Sequence, residues 1–240
     1  MLLTVDLERL RVRPGERLLD AGCGEGRHCY GALERGARVV GLDLDPAGLR
    51  AAVGGLRARA AEKGTLGEML QGNTFALPFA DETFDKIICS EVMEHVHDYR
   101  AAARELARVT KPGGVVAITI PTATSENLYL RVGDDYFESL GGHIRIFEPR
   151  QLALGLAEAG LATTGVGFAH ALHTPYWVLR SIAGLPKADE SRLVRAYRTF
   201  LIRATGSKAM VQLENVLNYC FPKSLILYAE KRAGRQRVAA

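Results

Sequence analysis

Residues Arg17-Leu-Leu-Asp-Ala-Gly-Cys-Gly-Glu-Gly26 decide how the 240-residue chain must be read. A short apolar run leads into three glycines at alternate positions, and a helix-compatible stretch continues to Arg35, which spells strand, tight turn, helix. Outward from there, Arg38 to Asp43 reads as a second strand, and Pro46 sits where a helix to about Lys63 can begin. Glu68 to Gly72, Phe84 to Ser90 and Gly114 to Ile120 supply strands three to five, with a helix from Tyr99 to Val109 between the last two. Such alternation predicts an α/β fold with a doubly wound, mostly parallel sheet, its ligand sites outside the carboxyl ends of the strands. After Pro121 the rhythm breaks. Thr122 to Phe147 reads as polar and irregular, Pro149 opens a helix to about Ala159, and Leu161 to Ala169 and Ser224 to Glu230 read as strands six and seven. Between those two strands lies a helical insert with Leu193, Tyr197, Phe200 and Leu201 at helical spacing.

Composition narrows the classes. Hydrophobic residues make up 48% and charged residues 24%, which excludes collagenous, disordered and disulfide-scaffold chains. No run reaches the roughly 18 apolar residues of a membrane span, and Met1 to Pro14 interleaves Asp6, Glu8 and Arg9 with its apolar residues, so an unexported, cytoplasmic protein is expected. Cys23, Cys29, Cys89 and Cys220 show neither CxxC spacing nor a paired framework, in keeping with a reducing compartment. The net charge is only +4, yet Ala171 to Lys223 carries eight basic residues against three acidic ones. An anionic partner or a solvated arginine face would each account for that. The arginine- and alanine-rich end after Lys231 reads as a frayed tail.

A glycine turn between strand and helix brings backbone close to a ligand and points N–H groups at it. The dinucleotide fingerprint G-x-G-x-x-G needs glycine where this chain has Arg27, so a pyrophosphate cradle is disfavoured. A phosphate-free ligand with carboxylate and amino groups, such as an amino-acid-bearing nucleoside, suits the turn better. Asp43 closes the second strand, where a carboxylate can accept from two ribose hydroxyls. Asp45, directly before Pro46, is better placed to cap the following helix.

In order, Leu18 to Gly26, Val39-Val-Gly-Leu-Asp43, Gly72-Asn-Thr-Phe-Ala-Leu-Pro-Phe79, Phe84-Asp-Lys-Ile-Ile-Cys-Ser-Glu-Val-Met-Glu-His95 and Arg108-Val-Thr-Lys-Pro-Gly-Gly114 resemble the motifs of class I S-adenosylmethionine-dependent methyltransferases. The resemblance covers roughly residues 15 to 121, and Gly142-His-Ile-Arg-Ile-Phe147 is more loosely similar to the quinone-biosynthesis O-methyltransferase branch. It implies a seven-stranded sheet whose last strand is antiparallel, with S-adenosyl-L-methionine across the ends of the first strands. By the same resemblance Asp20, Gly22, Cys23, Gly24 and Gly26 would face the methionine part, and Asp43 with Leu44 the ribose and its surroundings. Asn73 and Thr74 would meet the adenine edge, and Ser90 the wall beside the sulfonium. The family usually has Asp at the Asn73 position. Asn still accepts through its carbonyl oxygen but adds a donor, and a bare strand-ending turn is the competing reading of Gly72-Asn73. The chain then divides into a single methyltransferase domain over 1–240: a cofactor core over 15–121, an active-site loop region over 122–147, and a helical cap over the acceptor site at 171–223.

Methyl transfer from a sulfonium is an in-line displacement, so alignment and exclusion of water can do most of the work. A hydroxyl acceptor additionally gains from a general base, and histidine is the default. His143 is the favoured base, His95 the rival, and Glu91 the carboxylate expected to hold or polarise either imidazole. His28 is expected to pack and His97 to sit in a loop. His173, Tyr176 and Trp177 could line an acceptor pocket or anchor the cap. A His/Glu set could recruit a divalent cation, but no spacing demands one, so no metal is expected.

The expected activity is methyl transfer to a hydroxyl of a small molecule: a saccharide, a quinone or phenol, or a lipid-linked acceptor. N- or C-methylation and a non-catalytic S-adenosylmethionine-binding module are the alternatives. The Asn/Asp-Pro-Pro-aromatic loop of base methylation is replaced by Ser90-Glu91-Val92-Met93, which argues against DNA. The basic insert leaves RNA formally open, but it lacks the dense Lys/Arg stripe with interleaved aromatics that RNA binding calls for, so RNA is not the expected partner. The arginines of the insert keep an anionic acceptor and a peripheral membrane contact in play.

Overall fold

Side chains alternate across each strand, and that alternation builds two apolar layers on one sheet. Leu19, Ile87, Cys89, Val116, Ile118, Ile120, Leu225 and Leu227 face one way into a core shared with Tyr99, Leu106, Leu152 and Leu156. Leu18, Val39, Ile88, Ala117, Ile226 and Tyr228 face the other way, packing against Cys29, Leu33, Leu49, Leu56 and the N-terminal residues Val5, Leu7 and Leu10. The computed structural model describes residues 3–132 and 143–232.

The strands are β1 (Arg17–Ala21), β2 (Arg38–Asp43), β3 (Gly67–Gln71), β4 (Phe84–Ser90), β5 (Thr110–Pro121), β6 (Leu161–Ala169) and β7 (Ser224–Lys231). They lie in the order β3-β2-β1-β4-β5-β7-β6. Strands β1 to β5 pair in parallel, and β7 runs antiparallel to both of its neighbours. The chain winds outward in both directions from β1 and β4, and the crevice at their carboxyl ends is the switch point where such sheets bind ligands. The expected α/β architecture with its antiparallel last strand is therefore the one observed.

Helices α1 (Arg27–Glu34), α2 (Pro46–Glu62), α3 (Tyr99–Val109) and α5 (Pro149–Glu158) cover the faces. Their starts follow from local chemistry: Asp45 caps α2 by accepting from Ala47 and Gly48 N–H, ahead of Pro46, and Asp98 caps α3 by accepting from Ala101 N–H.

Two expectations along this stretch need correction. Strand β5 begins at Thr110 rather than Gly114, because Thr110 already pairs with Phe84 across a register shift. Helix α4 occupies Ala123–Val132, within the stretch read as irregular. Thr122 starts it by accepting from Ser125 N–H at 3.2 Å, while its own N–H reaches Lys223 O at 2.8 Å. The remainder of that stretch, up to Gly142, and the tail beyond 232 lie outside the described residues.

Between β6 and β7 come α6 (His173–Ala183), α7 (Arg192–Ala204) and α8 (Lys208–Leu217). The buried stripe of α7 is Val194, Leu201 and Ala204, whereas Leu193 and Phe200 are exposed. The periodicity was correctly helical, but the face turned inward lies one residue further round. Among the described residues no helix is long and apolar enough to cross a membrane.

Candidate active site

The glycine turn closes β1 by bonding to β2. Gly22 and Cys23 N–H both donate to Leu42 O, at 2.7 and 3.0 Å, and Gly26 N–H donates to Cys23 O. Gly24 N–H donates to Asp43 Oδ2 at 2.7 Å. The expectation that these amides await a ligand is thus corrected: they fasten the turn. Gly22 is required there, since its φ is +81° and a Cβ would lie 2.2 Å from Val92 Cγ2. A Cβ on Gly24 would meet nothing within 4 Å, so the turn opens onto space at that point.

Asp43 accepts from backbone at both carboxylate oxygens. Asp45 N–H occupies Oδ1 at 2.9 Å and Gly24 N–H occupies Oδ2, and each oxygen retains a lone pair. Two backbone donors on two strand ends hold this carboxylate in one orientation at the edge. Leu44 beside it is 63% exposed, an apolar surface where a planar base can lie. Asp20 is wholly buried, and its Oδ1 has no hydrogen-bond partner while Oδ2 receives Cys29 Sγ–H at 3.4 Å. Burial pushes its carboxyl up to about 7. An orphaned acidic oxygen behind the turn, an oriented carboxylate and an open glycine fit an amino-acid-bearing nucleoside with its cationic centre toward Asp20.

Further along the edge, Asn73 Oδ1 accepts from Phe75 N–H at 3.0 Å, so Asn73 does build a strand-ending turn, with one lone pair of that oxygen remaining. Thr74 is buried beside it. Ser90 is also buried, its Oγ 3.0 Å from Thr119 Oγ1.

The histidines sort differently from the expectation in one respect. His143 Nδ1 pairs with Glu126 Oε1, a carboxylate on α4, and not with Glu91. The rings of His143 and His95 meet edge to face with centroids 4.8 Å apart. Glu91 is committed elsewhere: Lys223 Nζ lies 2.6 Å from Oε2, and Thr119 Oγ1 donates to Oε1 at 3.1 Å. Burial opposes ionisation of Glu91, but the Lys223 ammonium outweighs it and holds the carboxyl below its ordinary range. Glu91 itself sits at φ +56°, a left-handed residue just past β4, with its N–H bonded to Thr119 O. The expected role of Glu91 as the imidazole's partner is replaced by an ion pair that holds the start of β7 against the end of β4.

Glu94 is fully buried with neither carboxylate oxygen hydrogen-bonded, and burial together with the Glu91 charge raises its proton affinity well above the usual carboxyl range. One ligand atom each from Glu94, His95 and His143 lies within 4.8 Å of the others, a spacing open to a cation. His28 accepts Thr4 and Val5 N–H at Nε2, each at 3.3 Å, and desolvation lowers its proton affinity to a pKa of about 3, so it packs as expected.

In the insert, Tyr176 and Trp177 both lie under the Arg180 guanidinium, at 5.7 and 5.5 Å. Arg180 also donates to Tyr176 OH and pairs with Asp189. Tyr176 and His173 line a cavity of about 340 Å³ with Arg198 and Thr205. Glu126 and Lys223 were missed in the sequence because neither belongs to a local motif. Only the Thr122-x-x-Ser125 helix start could have placed Glu126 on an ordered element.

Residues 19–118 match the family described as "Methyltransferase domain". The chain is 36% identical over 128 residues to the ubiquinone biosynthesis O-methyltransferase of Alkalilimnicola ehrlichii, covering 52% of this chain and 50% of that protein. It is 37% identical over 111 residues to the demethylmenaquinone methyltransferase of Corynebacterium efficiens, covering 46% and 44%. The chain thus spans half or less of these curated relatives. Geranyl diphosphate methyltransferase, solved in complex with SAM, superimposes with a TM-score of 0.59 at 20% identity, over 94% of this chain and 82% of that one, a likeness of fold.

Proposed function

We propose, from the premise that residues 19–118 of this chain belong to the class I S-adenosylmethionine-dependent methyltransferases, that the chain moves a methyl group from S-adenosyl-L-methionine to a hydroxyl of a small molecule. S-adenosylmethionine supplies an electrophilic methyl on a sulfonium. The observation that carries the O-methyl reading is the pairing of His143 Nδ1 with buried Glu126 beside the carboxyl end of β4.

The roles then follow from position. Asp43, held by Gly24 and Asp45 N–H, takes the ribose hydroxyls, with Leu44, Asn73 and Thr74 around the base. Asp20, ionised next to a cationic ligand, balances the methionine ammonium from behind the turn. Glu126 fixes the His143 ring so that Nε2 is the nitrogen that removes the acceptor's proton, and it stabilises the imidazolium that results. Nearby Glu94 is fully buried, and burial with the Glu91 charge raises its proton affinity well above the usual carboxyl range.

The insert over 171–223 would close the acceptor side, with His173, Tyr176 and Trp177 toward the substrate and its arginines favouring an anionic or lipid-linked molecule. The excess of basic over acidic residues in that insert suits a small neutral or anionic hydroxyl compound. An acceptor screen read by mass spectrometry as the gain of one methylene tests this. Saccharide, phenolic and lipid-linked hydroxyls should include a substrate whose turnover falls in His143→Ala. Tight cofactor binding with no methylated product from hydroxyl, amine or carbon acceptors would favour a binding module instead.

A further inference from the structure

A second set of metal-competent side chains lies apart from the His95/His143 pair, where the insert leaves the sheet. We propose that His170, His173 and Glu214 form a site for a divalent transition-metal ion of the zinc class, which pins helices α6 and α8 to the end of β6. One ligand atom from each of the three lies within 4.8 Å of the others. His173 Nδ1 and Glu214 Oε1 are 3.9 Å apart, both buried and neither hydrogen-bonded. Buried polar atoms are almost always satisfied, and 3.9 Å is too long for a bond between these two. With ligand bonds of 2.0–2.2 Å, two donors on a tetrahedral ion sit about 3.4 Å apart, so a few tenths of an ångström closes the gap. Two imidazoles and one carboxylate are a zinc donor set that leaves a fourth position for water.

The surroundings prepare the site. His170 occupies the left-handed region at φ +68°, turning the chain sharply from β6 into α6. Asn218 Oδ1, just beyond α8, accepts from Ala171 N–H at 2.9 Å and ties that corner to α8. His170 Nε2 lies 2.9 Å from Thr4 Oγ1, which also accepts from Arg27 Nη2 at 2.7 Å. The hydroxyl has a second lone pair for the Nε2–H of His170, the tautomer that leaves the other nitrogen for an ion, and such outer partners orient metal-bound histidines. Access exists as well: Thr4, His170, Glu214 and Asn218 line a cavity of about 700 Å³. The site shares His173 with the cavity proposed for the acceptor, and its test reads metal binding without turnover.

The test uses the full chain, stripped with chelator and titrated with Zn²⁺ or Co²⁺ alone. The expected result is one tight equivalent per chain, a rise in Tm of about 5 to 10 °C when zinc is 100-fold above Kd, and cobalt d–d bands of a four- or five-coordinate ion. Glu214→Gln and His173→Gln, each checked for native circular dichroism, should weaken binding by more than the about 100-fold that loss of an outer partner costs, whereas His95→Ala should not. X-ray absorption on the wild-type zinc form should find two imidazoles. No tight equivalent in the wild type, an all-oxygen shell, or loss of binding in His95→Ala with both other variants unaffected would each overturn the proposal.

Discussion

The N–H of Gly24 reaches Asp43 Oδ2 across 2.7 Å, joining the turn after β1 to the tip of β2. That bond couples the glycine turn to the carboxylate proposed for the ribose, which Asp45 N–H also holds. Asp43→Ala should remove that clasp and lower S-adenosylmethionine affinity by about 10- to 100-fold, the worth of one or two charge-assisted hydrogen bonds. Titration calorimetry reads it, and unchanged affinity would take Asp43 out of the cofactor site.

The pairing of His143 with Glu126 predicts a split between chemistry and binding. His143→Ala should cut kcat by about 100-fold or more while leaving cofactor affinity within a few-fold. Glu126→Gln, which keeps the shape but loses the charge that would stabilise the imidazolium formed in the reaction, should lower kcat while leaving cofactor affinity within a few-fold. A variant at position 143 turning over at the wild-type rate would end the base assignment.

Asp20 makes cofactor binding pH-dependent. Its carboxyl is pushed up to about 7 by burial, so it is largely protonated below that pH in the free protein. A cationic ligand favours the ionised form, and affinity should therefore climb as pH rises through 7, a dependence that Asp20→Asn should abolish. Stability of the free protein runs the other way. Between the usual 3.8 and about 7 the native state holds a proton that the unfolded chain has released, so Asp20's contribution falls as pH rises across that window and is flat above it. Denaturant midpoints from pH 4 to pH 8, compared between wild type and Asp20→Asn, measure the difference.

The Lys223–Glu91 pair, with 15% and 21% of the side chains exposed, holds β7 to the end of β4. Removing one partner strands a mostly buried charge, and Lys223→Met should cost about 2 to 3 kcal/mol, somewhat less than for a fully buried pair. Adding Glu91→Gln should restore most of that in urea unfolding. Additive losses in the double variant would show the two side chains to be energetically independent.

Much of this was open to reading from local chemistry. Strands β2, β4 and β6 run over the residues that apolar patterning gave them, and α3 fills its expected span from Tyr99 to Val109, because alternation and caps are properties of neighbours in sequence. Asp45 before Pro46 was legible as a cap for the same reason. Helix α4 was not, since Thr122 to Val132 lacks a clean apolar stripe and gains its anchor from Lys223 O, a hundred residues away. On α7, spacing revealed a helix but not which of two adjacent faces would pack.

What the sequence determined by itself is therefore the cofactor half: a glycine turn after an apolar strand, an acidic residue closing the next one, and the order of motifs that makes the sheet parallel. Each of those rests on φ preferences, burial and short-range hydrogen bonding, which act over a few residues. The tertiary structure alone decided that Glu126 meets His143, that Glu91 goes to Lys223, and that His173 and Glu214 face each other unpaired. Those outcomes depend on which charged and polar groups are buried together, and burial is settled only when distant segments close over the sheet edge.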